Sequence, residues 1–274
     1  MSIVVKKVAA VHDLAGIGRC SLTAAIPILS VLGVQACPVP TAILSCQTGY
    51  PNFHFFDFTN EMKSYIDTWN SMELKFDGIY SGFLGSENQI NIVIDLIDKH
   101  KESLIVVDPV MGDNGEKYKT YTDEMCNRIK ELVRHADVVT PNLTESCILT
   151  GRKYDDNINE DTLSEIAKEI SGLGPTKVVI TGVVKDNELI TYAYDKENNE
   201  SFIVSSEYNK KTYGGTGDIF ASIICGMLIR GFDFKNSVYK ACTFIKKAID
   251  ITYLENVDEK NGILFEPLLK ELIM

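Results

Sequence analysis

Gly215-Thr216-Gly217-Asp218 runs directly into the apolar stretch Ile219-Phe220-Ala221-Ser222-Ile223-Ile224. Glycines let successive backbone N–H groups turn to one side, and a helix start behind them adds partial positive charge. Gly215, Thr216 and Gly217 could therefore form an anion hole for a phosphoryl group that gains negative charge during transfer. Asp218, in the first turn, is placed to take the proton of an alcohol attacking that phosphorus. It would equally stabilise its own helix start, so the loop alone leaves both roles open.

Two further segments carry carboxylates at strand ends. Thr140-Pro141-Asn142-Leu143-Thr144-Glu145 closes one strand and opens a helix. Asn142 with Glu145 has capping-box spacing, while a carboxylate at that edge could also hold water on Mg²⁺, a cation that takes few protein ligands. Asp108-Pro109-Val110-Met111-Gly112-Asp113 places two carboxylates around a turn, as cation ligands or as a strand-ending turn. There is no Walker A loop, and Gly16-Ile17-Gly18-Arg19 lacks the last glycine of a dinucleotide fingerprint.

These residues need a sheet to bring them together. Short β-branched runs at Val8 to Val11, Gly78 to Ser81, Leu104 to Val107, Asp137 to Thr140 and Lys177 to Thr181 leave room for helices between them. Ser86 to His100, opening on a Ser86-x-x-Gln89 capping box, and Asp161 to Ile170 are predicted helices. Glu188 to Tyr194 and Ser201 to Ser206, around a polar turn, predict an antiparallel hairpin; helices are predicted to about Arg230 and from about Lys235 to Tyr253. The alternation is α/β, and no linker or repeat divides the chain, which predicts a single domain over residues 1–274. In open α/β sheets ligands bind beyond the carboxyl ends of the strands, which selects Asp13, Asp108, Asn142, Thr181-Gly182 and the Gly215 to Asp218 loop.

The 274 residues are 45% hydrophobic and 24% charged, an ordinary globular composition. A net charge of −11 argues against nucleic acid or an anionic membrane surface as partner, and no run is long enough to span a bilayer. Seven scattered cysteines without Cys-x-x-Cys spacing read as reduced thiols, and the first apolar run is broken at His12-Asp13, too early for a signal-peptide core. A cytoplasmic location is expected.

Taken in order, Asp13 to Ser21, Ser45 to Tyr50, Gly82-Phe83-Leu84-Gly85, Asp108 to Asp113, Thr140 to Glu145, Thr181-Gly182 and Gly215 to Asp218 resemble the ribokinase-like superfamily and, within it, the pyridoxal/pyridoxamine kinase family. The resemblance implies a three-layer α/β/α fold with a mostly parallel central sheet and an antiparallel edge hairpin. It implies phosphorylation of the 5′-hydroxymethyl group of a small-molecule B6 vitamer by ATP, and a homodimer. By position, Asp218 would be the base and the Gly215 to Gly217 amides the anion hole. Asp113, Asn142 and Glu145 would serve ATP phosphates and Mg²⁺, with Thr181 and Gly182 at the nucleotide. Asp108, Thr140 and Thr181 would surround K⁺, and Thr48 and Phe83 would line the pyridine pocket.

The substrate half departs from the family pattern. Val11 stands where the family has Ser, Cys46-Gln47 where it has Asn-His, and Phe83 where a Tyr is usual. Asp13 and Gln47 are expected to supply substitute polar contacts, Asp13 to a protonated ring nitrogen or an amine, or else only to cap its turn. His12 could polarise substrate or be a hydrogen-bonded structural histidine. Three other functions stay open: a hydroxymethylpyrimidine kinase, which typically has Cys at the position of Asp218; a sugar or nucleoside kinase, whose early Gly-Gly is not found; and a non-catalytic vitamer- or nucleotide-binding protein.

Overall fold

The apolar run Val8 to Val11 is the middle of a longer strand, β1 (Lys6–Ala15), in the computed structural model, which describes residues 4–273. Val8, Ala9, Ala10 and Val11 are fully buried, the unbroken apolar pattern of a parallel strand covered on both faces. After α1 (Ser21–Val31) the chain forms β2 (Val34–Leu44), which pairs parallel with β1. A short β3 (Phe55–Asp57) turns back antiparallel on the end of β2, and α2 (Thr59–Ser71) leads to β4 (Gly78–Ser81), parallel to the other side of β1. Helix α3 (Glu87–Lys99) follows. These elements belong to one of two compact units, which takes in the chain up to Leu104 and again from Thr212 onward.

β2 escaped prediction because Pro38 and Pro40 interrupt it. They are tolerated because β3 pairs only with Ala42 to Leu44, so over the proline stretch β2 needs a partner on one side alone. The β1–β2 register slips between His12 and Leu14: His12 faces Pro40 and Leu14 faces Ile43, leaving Thr41 and Ala42 opposite Asp13. Such a bulge re-aims side chains.

The second unit, Ile105–Lys211, begins within β5 (Leu104–Val107). A two-stranded ribbon of β6 (Gly112–Asp113) and β7 (Glu116–Lys117) precedes α4 (Asp123–Val133), β8 (Val138–Val139), α5 (Leu143–Thr150) and α6 (Glu160–Ser171). β8 lies parallel between β5 and β9 (Lys177–Lys185), and the expected hairpin, β10 (Glu188–Asp195) and β11 (Glu200–Glu207), continues the sheet antiparallel from β9. β8 is shorter than the predicted Asp137 to Thr140 because Asp137 bonds the Ile105 amide through its side chain and Pro141 has no N–H to extend the ladder.

The chain then returns to the first unit as α7 (Thr216–Ile229) and α8 (Phe234–Leu254), and α7 packs against both α1 and α8. The Ser86/Gln89 capping box forms only by half. Ser86 Oγ accepts the Gln89 N–H, but the buried Gln89 carboxamide turns away to accept from the Gly85 amide and to donate to the Thr41 carbonyl. The Asn142/Glu145 box is complete. All seven cysteines are free thiols.

Candidate active site

β1 carries His12 and Asp13 at its carboxyl end, both buried. Neighbouring side chains on a regular strand point to opposite faces. Here, opposite the bulge on β2, His12 Nδ1 lies 2.8 Å from Asp13 Oδ1, while His12 Nε2 lies 2.9 Å from Asp218 Oδ1. The other Asp218 oxygen accepts the Ser21 backbone N–H at 2.7 Å. Burial alone would push the imidazolium pKa down; the carboxylates of Asp218 and Asp13 outweigh it, and the net value is pushed up to about 10. Burial and the same two carboxylates push the Cys20 thiol up, which keeps it protonated and unreactive.

Asp218 stands in the first turn of α7, whose N-cap is Gly215 in the left-handed conformation (φ 81°) with no side chain capping the helix amides. A Cβ on Gly215 would also lie 2.0 Å from the Arg19 carbonyl oxygen, so glycine is required there by both conformation and space. The uncapped amides of Thr216 and Gly217 remain available to an anion.

On either side of β1, the ends of β2 and β4 lead to the predicted substrate residues. Thr48 is exposed in the turn after β2, and Phe83 follows β4 half-buried, its carbonyl accepting the Thr41 hydroxyl. Gln47 is turned elsewhere: its carboxamide accepts the Gly49 N–H and donates to the Lys260 carbonyl. Tyr50 hydrogen-bonds Asn261, and Arg19 donates to the Asn261 carbonyl and pairs with Glu266. The segment 258–266 thus fastens the loop that holds Gln47 and Thr48, and its Glu259 carbonyl accepts from the Gly214 amide beside the anion hole.

The second unit gathers its own polar cluster at its strand ends. Thr140 donates to Asp108, and both are buried. Asn142 and Glu145 cap each other, Glu145 also accepts the Met111 N–H, and Asn142 donates to the Gly112 carbonyl. Asn142 bridges Thr181 on β9, where Gly182 takes a left-handed turn (φ 72°). Burial, then the nearby charge of Asp108 and, more weakly, Asp113, raises the proton affinity of Glu145 well above the usual carboxylate range, while burial raises that of Asp113. Among the described residues no three acidic, His or Cys side chains converge as a ready cage for a metal ion. Crowded carboxylates without a compensating cation, in an incomplete ligand set, fit Mg²⁺ that retains waters and takes phosphate oxygens.

The phosphomethylpyrimidine kinase family model matches residues 19–263. The chain belongs to the phosphomethylpyrimidine and pyridoxal kinase family of the ribokinase-like superfamily. A Bacteroides thetaiotaomicron structure assigned to the phosphomethylpyrimidine kinases and solved with pyridoxal is 43% identical, with a TM-score of 0.95 over 99% of this chain and 96% of that one. Pyridoxal kinase from Lactobacillus plantarum is 27% identical, with a TM-score of 0.91 over 99% and 97% of the two chains. The pyridoxine kinase of Bacillus subtilis is 31% identical over 176 residues, 63% of this chain and 64% of that relative, so the match spans just under two thirds of its length.

Within this family member, the fold brings Asp13 to Asp218 through His12, whereas Gln47 is occupied by backbone partners. Sequence reasoning placed Ser21 and Gly82 inside motifs but gave neither a role: the Ser21 amide holds Asp218, and Gly82 makes room for the His12 ring. Gly82 could have been suspected from its position directly after a strand; an amide donor such as Ser21 leaves no side-chain signal.

Proposed function

We propose that this protein is an ATP-dependent kinase that phosphorylates the 5′-hydroxymethyl group of a B6 vitamer, the whole chain acting as one catalytic domain. The observation that carries this reading is Asp218, fixed at both oxygens by His12 and Ser21, one residue beyond the uncapped amides of Thr216 and Gly217. Asp218 takes the proton of the substrate hydroxyl as the hydroxyl oxygen bonds to the γ-phosphorus and ADP leaves with the bridging oxygen, and the anion-hole amides receive the charge growing on the phosphoryl oxygens. Asp113, Asn142 and Glu145 serve Mg²⁺ and the nucleotide phosphates, with Thr181 and Gly182 beside the nucleotide. Asp108, Thr140 and Thr181 hold K⁺. When bound, Mg²⁺ neutralises charge on the phosphates.

Thr48 and Phe83 line the ring pocket, and the pyridoxal in the 43% identical structure supports a pyridine as the ring. A hydroxymethylpyrimidine substrate is the second reading, favoured by the family whose model matches. The carboxylate at Asp218 supports the pyridine reading, because the resemblance implies that hydroxymethylpyrimidine kinases typically have Cys there. ADP release from Mg·ATP, measured with pyridoxal, pyridoxine, pyridoxamine, the pyrimidine alcohol and simple sugars, tests both; preference for the pyrimidine alcohol overturns the B6 assignment. The homodimer implied by the family is checked by light scattering, as a ~60 kDa particle against the 30.5 kDa of one chain. No described helix is long and apolar enough to cross a membrane.

A further inference from the structure

We propose that His12 is a permanently charged positioning residue, held from behind by Asp13, that fixes the Asp218 carboxylate for proton transfer. The proposal rests on Asp218 being the base.

The geometry sets the charge. Both ring nitrogens of His12 lie within 3 Å of a carboxylate oxygen, Nδ1 at 2.8 Å from Asp13 and Nε2 at 2.9 Å from Asp218. A neutral imidazole has one N–H, so one of these contacts would oppose two lone pairs; an imidazolium satisfies both. The Asp13 amide also comes within 3.0 Å of Nδ1, but one nitrogen cannot donate to a carboxylate and accept from an amide, and the charged contact is the shorter and stronger. The groups facing the ring are Asp13 on β1, Asp218 on α7 and, edge-on at 6.0 Å, Tyr80 on β4; the Cys20 thiol at the start of α1 feels both carboxylates and stays neutral. The ring is therefore the one cation described between the buried Asp13 carboxylate and the half-buried Asp218 carboxylate.

Two consequences separate this from a merely structural histidine. With Nε2–H on one oxygen and the Ser21 N–H on the other, the carboxylate cannot rotate, yet each oxygen keeps a lone pair for the substrate proton. A bare imidazolium would make Asp218 a poor base. Asp13 offsets that charge from the far side, so the pair His12–Asp13 orients Asp218 while lending it little net positive field.

The test compares wild type with His12→Gln, Asp13→Asn, the double variant and Asp218→Asn. It reads kcat and KM from about pH 5 to pH 9, and the ¹⁵N shifts of the His12 ring. Expected in wild type is a ring protonated on both nitrogens at about pH 8, where an unperturbed histidine is neutral. His12→Gln should lower kcat roughly 10-fold to 100-fold with KM for ATP nearly unchanged and the acid limb of the rate profile moved to higher pH. Asp13→Asn should lower kcat less, bring the ring titration down, and add nothing in the double variant, because Asp13 acts through His12. Should His12→Gln not fold, Asp13→Asn and the ring shifts carry the test. A neutral wild-type ring at about pH 8, or losses that multiply in the double variant, overturns the proposal while an inactive Asp218→Asn leaves the base in place. Near-normal kcat in Asp218→Asn removes the base, and the proposal with it, whatever the ring charge.

Discussion

Gly82 and His12 occupy a space that has no room for a second side chain: a Cβ on Gly82 would lie 2.0 Å from His12 Cδ2 and 2.1 Å from Nε2. The ring cannot swing aside cheaply, since both its nitrogens are engaged. Gly82→Ala should therefore cost about 1–3 kcal/mol of stability through overpacking. It should also reduce kcat by displacing the group that orients Asp218. Denaturant unfolding and steady-state kinetics check both; a stable, fully active variant would show that the ring position is not needed.

Asp218→Asn keeps the shape of the side chain and removes its basicity. The expected loss is roughly 10²-fold to 10⁴-fold in kcat with ATP still bound, measured by turnover and by nucleotide binding on the same preparation.

Glu145 links metal to pH. Burial first, then the charge of Asp108, raises its proton affinity in the folded chain, so the native state favours the protonated form. The stability this gives is fully present below about pH 4.3, the unfolded value, and is lost as pH rises through the higher folded value. Thermal melts without divalent metal should fall over that range, and Mg²⁺ with nucleotide should reverse the fall. Glu145→Gln should flatten the profile and raise the Mg²⁺ needed for half-maximal rate; an unchanged Mg²⁺ titration would leave Glu145 as a helix cap alone.

Asp108 and Thr140 are buried beside each other. Replacing K⁺ by a bulky organic cation should lower activity if they and Thr181 hold a monovalent ion. Activity indifferent to the exchange removes that site.

Ser81, the last residue of β4, is in register with Val11, and its hydroxyl is buried without a protein partner. A buried hydroxyl left unpaired suggests a partner supplied from outside. Ser81→Ala should raise KM for the vitamer about 3-fold to 10-fold, the worth of one neutral hydrogen bond, and leave KM for ATP alone. Unchanged KM values would mark Ser81 as packing.

The sequence disclosed what local chemistry governs. Val8 to Val11, Gly78 to Ser81 and Leu104 to Val107 are strands because β-branched and small apolar residues suit a sheet buried on both faces, and the Asn142/Glu145 cap is legible from spacing alone. What it withheld depends on register. The register slip that sets Thr41 and Ala42 opposite Asp13 depends on pairing with another strand, and the His12–Asp218 contact joins residues 206 positions apart. Gln47 looked free for a ligand because its partner, the Lys260 carbonyl, is backbone and belongs to the far end of the chain.

That the first unit closes only with residues from Thr212 onward sets a schedule for its synthesis. When β1 leaves the ribosome, His12 and Asp13 have no Asp218 to meet. At about 5–20 residues per second the wait lasts roughly 10–40 s, during which the whole second unit is made. Chains cut short before α7 would carry the histidine and its aspartate but never Asp218, so under the proposed function a prematurely terminated product should be inert.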